Sequence, residues 1–188
     1  MRLILEGPDN AGKTTLARKL TDELGQAIFY FHPGGKPDSL AAELECMSEQ
    51  FTMIVQHSNI LMDRVTCISQ RVYNPDPAQA QLRADALSRL QTMAPVVVYC
   101  RPSTDRLLRV QDFKWRPGET DEHKQKIISG QHTFVTRYDE LMRGVPHVHY
   151  DWEDEVSARH IYQNLVYGFM GRTVSVNTLY HLMNLRGM

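Results

Sequence analysis

Residues 7–14 read Gly7-Pro8-Asp9-Asn10-Ala11-Gly12-Lys13-Thr14 and match G-x-x-x-x-G-K-[ST] at every fixed position. The apolar triplet Leu3-Ile4-Leu5 precedes the run, and a segment with helical spacing of apolar residues follows it. A strand that ends in a tight glycine loop and opens a helix aims several backbone N–H groups at one point, together with the positive end of the helix dipole. Such a concavity suits a phosphate chain. In this motif Lys13 reaches the β- and γ-phosphates of ATP and the Thr14 hydroxyl ligates Mg²⁺. Gly7, Asn10, Ala11, Gly12, Lys13, Thr14 and Thr15 are therefore the expected ATP-binding residues.

Outward from the loop, strand and helix patterns alternate to the end of the chain. Strands are expected at residues 2–6, 27–31, 59–62, 96–100 and 147–150, each short and apolar. Helices are expected at 13–24, 39–56, 78–92, near 103, at 121–143 and at 153–167, with Gly25 and Gly144 as stops. Val96-Val97-Val98-Tyr99-Cys100 is continuously apolar, as a strand buried on both faces of a parallel sheet must be. The pattern predicts an α/β fold: a doubly wound, five-stranded parallel sheet with helices on both faces. Ligands then bind beyond the carboxyl ends of the strands. Residues 1–170 are read as one domain with a lid at about 101–120, and 171–188 as a C-terminal helical extension.

The bulk composition excludes several classes. At 188 residues, 42% hydrophobic and 23% charged, the chain suits a soluble globular domain. No apolar run approaches the ~20 residues of a membrane span. The first strand and loop begin at once, so no signal segment is expected. Cys46, Cys67 and Cys100 fit no zinc spacing and suggest reduced thiols in a cytoplasm. A net charge of −1 gives no global attraction to nucleic acid.

Three segments resemble the thymidylate kinase-like group of P-loop nucleoside monophosphate kinases: Glu6 to Thr15, Pro33-Gly34-Gly35, and Asp63-Arg64. Short phage-encoded members are the most similar, through the stretch from Asp63 to Tyr73 and His149-Tyr150-Asp151. The likeness covers the order of elements over residues 1–167. It implies that Asp63 helps hold Mg²⁺ through water and that Arg64 grips the acceptor phosphate. It also implies that Asp9 bonds the sugar hydroxyl of a deoxynucleotide. Where family members carry a catalytic arginine in the loop this chain has Asn10, so the resemblance implies that the lid supplies the charge. Arg101, Arg106, Arg109 and Arg116 are the candidates, with Arg106 and Arg109 spaced to share a helix face. Phe51, Gln56, Arg71 and Tyr73 are the expected acceptor-pocket residues. Trp115 and Trp152 flank the lid and the last loop, where packing is the simpler role.

The expected activity is transfer of the ATP γ-phosphoryl group to a deoxynucleoside monophosphate. The catalytic set is Lys13, Asp63, Arg64, Arg106, Arg109 and Arg116, with Thr14 and Asp63 for the metal. The alternative is a hydroxyl acceptor: a deoxynucleoside, or the hydroxymethyl group of 5-hydroxymethyluridine in phage DNA. That chemistry needs a carboxylate base. Deoxynucleoside kinases place a glutamate after the second strand, where this chain has Phe31-His32. A homodimer, and a host cytoplasm for a phage-encoded form, follow from the resemblance alone.

Overall fold

The computed structural model describes residues 1–32, 37–109, 115, 118 and 120–171. The sheet is five-stranded and parallel. It is built from β1 (Arg2–Glu6), β2 (Phe29–Phe31), β3 (Ile60–Asp63), β4 (Val96–Cys100) and β5 (Val148–Tyr150), in the spatial order β2-β3-β1-β4-β5. Leu3 lies opposite Leu61 and Val96 in the two central pairings. Side chains alternate across the sheet, which divides the core in two. Leu3, Leu5, Val98 and Cys100 face helix α1 (Lys13–Leu24) and helix α7 (Glu155–Phe169). Ile4, Met62, Val97 and Tyr99 face the helices α2 (Leu40–Gln56), α3 (Thr66–Tyr73), α4 (Ala80–Thr92) and α6 (Asp121–Met142). The short helix α5 (Thr104–Leu107) follows β4.

Because α1 leaves β1 toward one face and α3 leaves β3 toward the other, a crevice opens between the ends of these neighbouring strands. Local chemistry starts the helices around it. Ser39 caps α2 at the Ala42 amide, Thr120 caps α6 at His123, and Asp154 caps α7 at Ser157. Helices α3 and α4 start without a side-chain cap, and so does α1. It starts at Gly12, with φ 85° and no side-chain cap, so its first amides stay open toward the loop.

The expected architecture is present, with local corrections. A 3₁₀ turn at Gly25–Ala27 delays β2 to Phe29, because the backbone is still closing α1. Helix α3 was not anticipated; Cys67, Ile68 and Val72 are its buried stripe. A second 3₁₀ turn at Pro77–Gln79 precedes α4, where Pro77 fits the first turn. Residues 110–114, 116, 117 and 119 of the expected lid lie outside the described residues, as does the expected extension beyond Gly171. All three cysteines are free. No described helix is long and apolar enough to cross a membrane.

A buried ion pair ties α2 to α4. Arg83 Nε and Nη2 donate to Glu43 Oε1 and Oε2 at 2.6 and 2.7 Å, and Nη1 donates to the Asn74 carbonyl at 2.7 Å. Removing one member of such a pair strands the other charge without water. Arg83→Ala is expected to lower stability by about 3–5 kcal/mol in urea unfolding.

Candidate active site

The loop from Gly7 to Gly12 has little freedom. Gly7 adopts φ 141°, and a Cβ there would lie 2.3 Å from the Cys100 carbonyl oxygen, a backbone atom of β4. A Cβ on Gly12 would lie 2.9 Å from Cδ1 of Trp152. Both positions therefore require glycine. Lys13 is 6% exposed; its Nζ donates to the Gly7 and Pro8 carbonyls at 2.9 and 2.6 Å. Burial, reinforced by the nearby Arg64, lowers its pKa to about 8, although Asp9 and Asp63 pull the other way.

Asp63 ends β3 directly opposite Leu5 and is 2% exposed. Its Oδ2 accepts from the Thr14 hydroxyl at 3.3 Å and from the Tyr30 hydroxyl at 3.4 Å. His32 Nδ1 lies 3.7 Å from the same oxygen. Among the described residues no group of three or more His, Cys, Asp or Glu side chains forms a metal cluster. One hydroxyl beside one carboxylate nevertheless fits Mg²⁺, which prefers oxygen ligands and keeps several waters when phosphates complete its shell.

Arg64 is the unusual residue. Its φ is 77°, a left-handed conformation that disfavours a non-glycine residue by about 1–2 kcal/mol. Its Nη2 donates to Asp9 Oδ1 at 2.7 Å, and its Nη1 to the Tyr138 hydroxyl at 3.1 Å. Its guanidinium carbon sits 4.9 Å from the centre of the Tyr73 ring. The Tyr73 hydroxyl in turn donates to Asp9 Oδ2 at 3.0 Å. Burial alone would raise the Asp9 pKa, but Arg64, Lys13 and the Tyr73 bond hold it below the usual carboxylate value. Asp9, Lys13, Asp63, Arg64 and Tyr73 therefore gather at one rim.

Other expected residues fall elsewhere. Phe51 packs in the core beside Met47 and Ile54, with the Arg89 guanidinium 5.2 Å from its ring centre, so it offers no platform for a base. Gln56 is the last residue of α2 and lies at the edge of the sheet where strands begin. The neighbouring His57 stacks on Phe29, the first residue of β2. Arg71 lies in the last turn of α3, two residues from Tyr73, and so projects from a different face. Arg101 is committed to Asp139, with Nε and Nη2 at 2.8 and 2.9 Å from its two oxygens. Helix α5 ends at Leu107, so Arg106 and exposed Arg109 do not share a helix face. Arg106 instead lies 5.0 Å from the Trp152 ring centre. Arg116 lies outside the described residues.

Four contributors were not singled out in the sequence: Glu6, Gln131, Tyr138 and the Gln50–Thr66 pair. Gln131 and Tyr138 are polar members of the otherwise apolar buried stripe of α6, and that is the signal each carries. Gln131 Nε2 donates to the Asp9 carbonyl at 2.9 Å and lies 3.3 Å from the Leu107 carbonyl. Gln50 exchanges two bonds with Thr66, holding α2 against the start of α3. Asn10 Nδ2, Gln131 Oε1 and Trp152 Nε1 are buried without a partner among the described residues, and all three border the loop.

Solved structures share this fold. Deoxyadenosine kinase from M. mycoides, solved with bound dATP, matches with a TM-score of 0.58 at 19% identity, over 88% of this chain and 99% of that one. Thymidylate kinase from Candida albicans matches at 0.52 and 15% identity, over 89% and 92%. Shikimate kinase from Acinetobacter baumannii, solved with shikimate, matches at 0.52 and 18% identity, over 92% and 94%. No family profile matches the chain, and no curated protein matches it in sequence. The chain has the fold of the P-loop kinases.

Gly12→Ala combines a left-handed φ with a clash against Trp152. It is expected to weaken ADP binding at least ten-fold by calorimetry while the far-UV circular dichroism spectrum stays unchanged.

Proposed function

We infer that the protein transfers the γ-phosphoryl group of Mg-ATP to the phosphate of a deoxynucleoside monophosphate, as do the thymidylate kinase-like enzymes its motifs resemble. The observation that carries this reading is the placement of Arg64. A second cation stands at the mouth of the Lys13 loop in a strained backbone conformation. Among the described residues its guanidinium bonds Asp9 through Nη2 and Tyr138 through Nη1, and a five-donor fork has further N–H groups to offer an acceptor phosphate.

The reaction needs two polyanions brought together and little covalent help. An oxygen of the acceptor phosphate attacks the γ-phosphorus, the bond to the β–γ bridging oxygen breaks, and ADP leaves. That oxygen is already ionised, so no base is required. The carboxylates at the rim are otherwise engaged: Asp63 with Thr14, Asp9 with Arg64 and Tyr73. Thr14 and Asp63 would hold Mg²⁺, which supplies charge neutralisation when bound. Lys13 and the loop amides would bind the ATP phosphates. Asp9 would meet the acceptor sugar, and Arg106 or Arg109 would approach the transferred group. A homodimer and a cytoplasmic setting, that of the host for a phage enzyme, belong to the same reading.

One observation favours a hydroxyl acceptor instead. His32 and Asp63 are close together at the ends of β2 and β3, and such a pair suits proton removal. A coupled ADP-release assay over the deoxynucleoside monophosphates, the deoxynucleosides and hydroxymethylated duplex DNA decides between the two. Turnover is expected with a monophosphate; turnover confined to hydroxyl acceptors overturns the reading. Arg64→Ala is expected to lower kcat/KM for the acceptor about 10³-fold, with ATP binding changed less than two-fold.

A further inference from the structure

We propose that Glu6 and Tyr138 are positioning residues for Arg64, and that their shared hydrogen bonds set the affinity for the acceptor phosphate. This rests on the phosphoryl-transfer reading above. Glu6 ends β1 and is fully buried. Its two oxygens divide their work. Oε1 accepts from the Val65 amide at 2.6 Å, which fixes the backbone immediately after the left-handed Arg64. Oε2 accepts from the Tyr138 hydroxyl at 3.1 Å, and that hydroxyl accepts from Arg64 Nη1 at 3.1 Å. One carboxylate therefore holds Arg64 at both ends, by its backbone and by its guanidinium.

The pair is well placed to position and badly placed to react. Tyr138 is 0% exposed, and its hydroxyl has its donor role filled by Glu6 and an acceptor role by Arg64. The Arg64 amide also donates to the Leu5 carbonyl at 3.0 Å, so the strained residue is clamped between β1 and the Glu6 side chain. Asp9 completes the cradle from the loop.

The charges around Glu6 make the arrangement sensitive to pH. Burial raises its pKa from 4.5 to about 7, against the pull of Arg64, the Val65 amide, Lys13 and Tyr138. Asp9, Asp63 and Tyr73 belong to the same cluster, and the neighbouring Cys67 and Cys100 are pushed up by burial to about 12 and stay neutral. An acid whose folded pKa is raised contributes stability present below its unfolded pKa and lost as pH rises through 7. Ionised Glu6 therefore costs the fold stability at neutral pH and above.

The test compares Tyr138→Phe, Glu6→Gln and Arg64→Ala in the full chain. A glutamine that keeps its oxygen on the Val65 amide can only donate its NH2 to the Tyr138 oxygen, so Glu6→Gln removes the charge and leaves the Tyr138 O–H without its acceptor. Both positioning variants are expected to raise the acceptor KM at least ten-fold while the ADP Kd changes less than two-fold. As pH falls from 8 to 6, the wild-type acceptor KM should rise more steeply than that of Glu6→Gln; ionisation of the acceptor itself is common to both. Glu6→Gln should also melt higher than wild type above pH 7. A normal acceptor KM in both variants, with acceptor use lost in Arg64→Ala, overturns the positioning role alone. Equal losses of ADP and acceptor binding also overturn it, because they mark general disruption. Undiminished turnover in Arg64→Ala removes the transfer reading and this inference with it.

Discussion

Five ionisable side chains are held together where water is scarce. Glu6, Lys13 and Asp63 are almost wholly buried, and Asp9 and Arg64 are partly so. A buried charge without a partner loses several kcal/mol of hydration, so each must be compensated. Most are: Asp9 by Arg64 and Tyr73, Arg64 by Asp9 and Tyr138, Asp63 by Thr14 and Tyr30. Lys13 is served less well. Its partners are two neutral carbonyls, and burial drags its pKa to about 8. Asp9 and Asp63 offset only part of that burial, and an arriving polyanion would supply further counter-charge. On the proposed function, the drive to bind phosphate comes from that residual deficit, and the loop amides add direction to it.

Steric constraint makes that electrostatic arrangement rigid. The loop is pressed against a β4 carbonyl at Gly7 and against an indole at Gly12, so its amides cannot drift. The register of the sheet does the rest. Leu5 opposite Asp63 brings the end of β3 beside the start of the loop, and the Arg64 amide bonds back to Leu5. The glycine loop, Asp63 and Arg64 are therefore spaced by backbone hydrogen bonds rather than by flexible side chains. The proposed phosphoryl transfer would benefit from that economy, since such catalysis is largely positioning.

What the sequence made legible follows from how local each signal is. The glycine loop, β4 and the Asp63-Arg64 strand end carry their meaning within a few consecutive residues, and the structure has them where they were expected. Helix α3 escaped because eight residues show only two turns of periodicity. Gln56 was misplaced for a geometric reason. A 17-residue helix spans about 25 Å, so its last residue ends at the opposite edge of the sheet from its first. Phe51 was misjudged because an aromatic residue on a buried face looks the same whether it faces core or ligand. Glu6 and Tyr138 are 132 positions apart, and no local pattern could join them.

Helix α6 explains how so many distant parts keep their spacing. Gln131 bonds the Asp9 carbonyl, Tyr138 bonds Glu6 and Arg64, and Asp139 receives Tyr99 and Arg101 at the end of β4. Gly130 leaves room for the Phe134 ring, which packs 4.7 Å from Tyr73 beneath Arg64. The helix is 22 residues long, about 33 Å of stiff rod, and its contacts with the site fall within its central and later turns. A rod that touches the glycine loop at one turn and Arg64 two turns later sets the distance between them. In-line transfer tolerates errors of only a fraction of an ångström in that distance. The polar residues on the buried stripe of α6 therefore act as gauge marks: they fix the separation on which the proposed transfer depends.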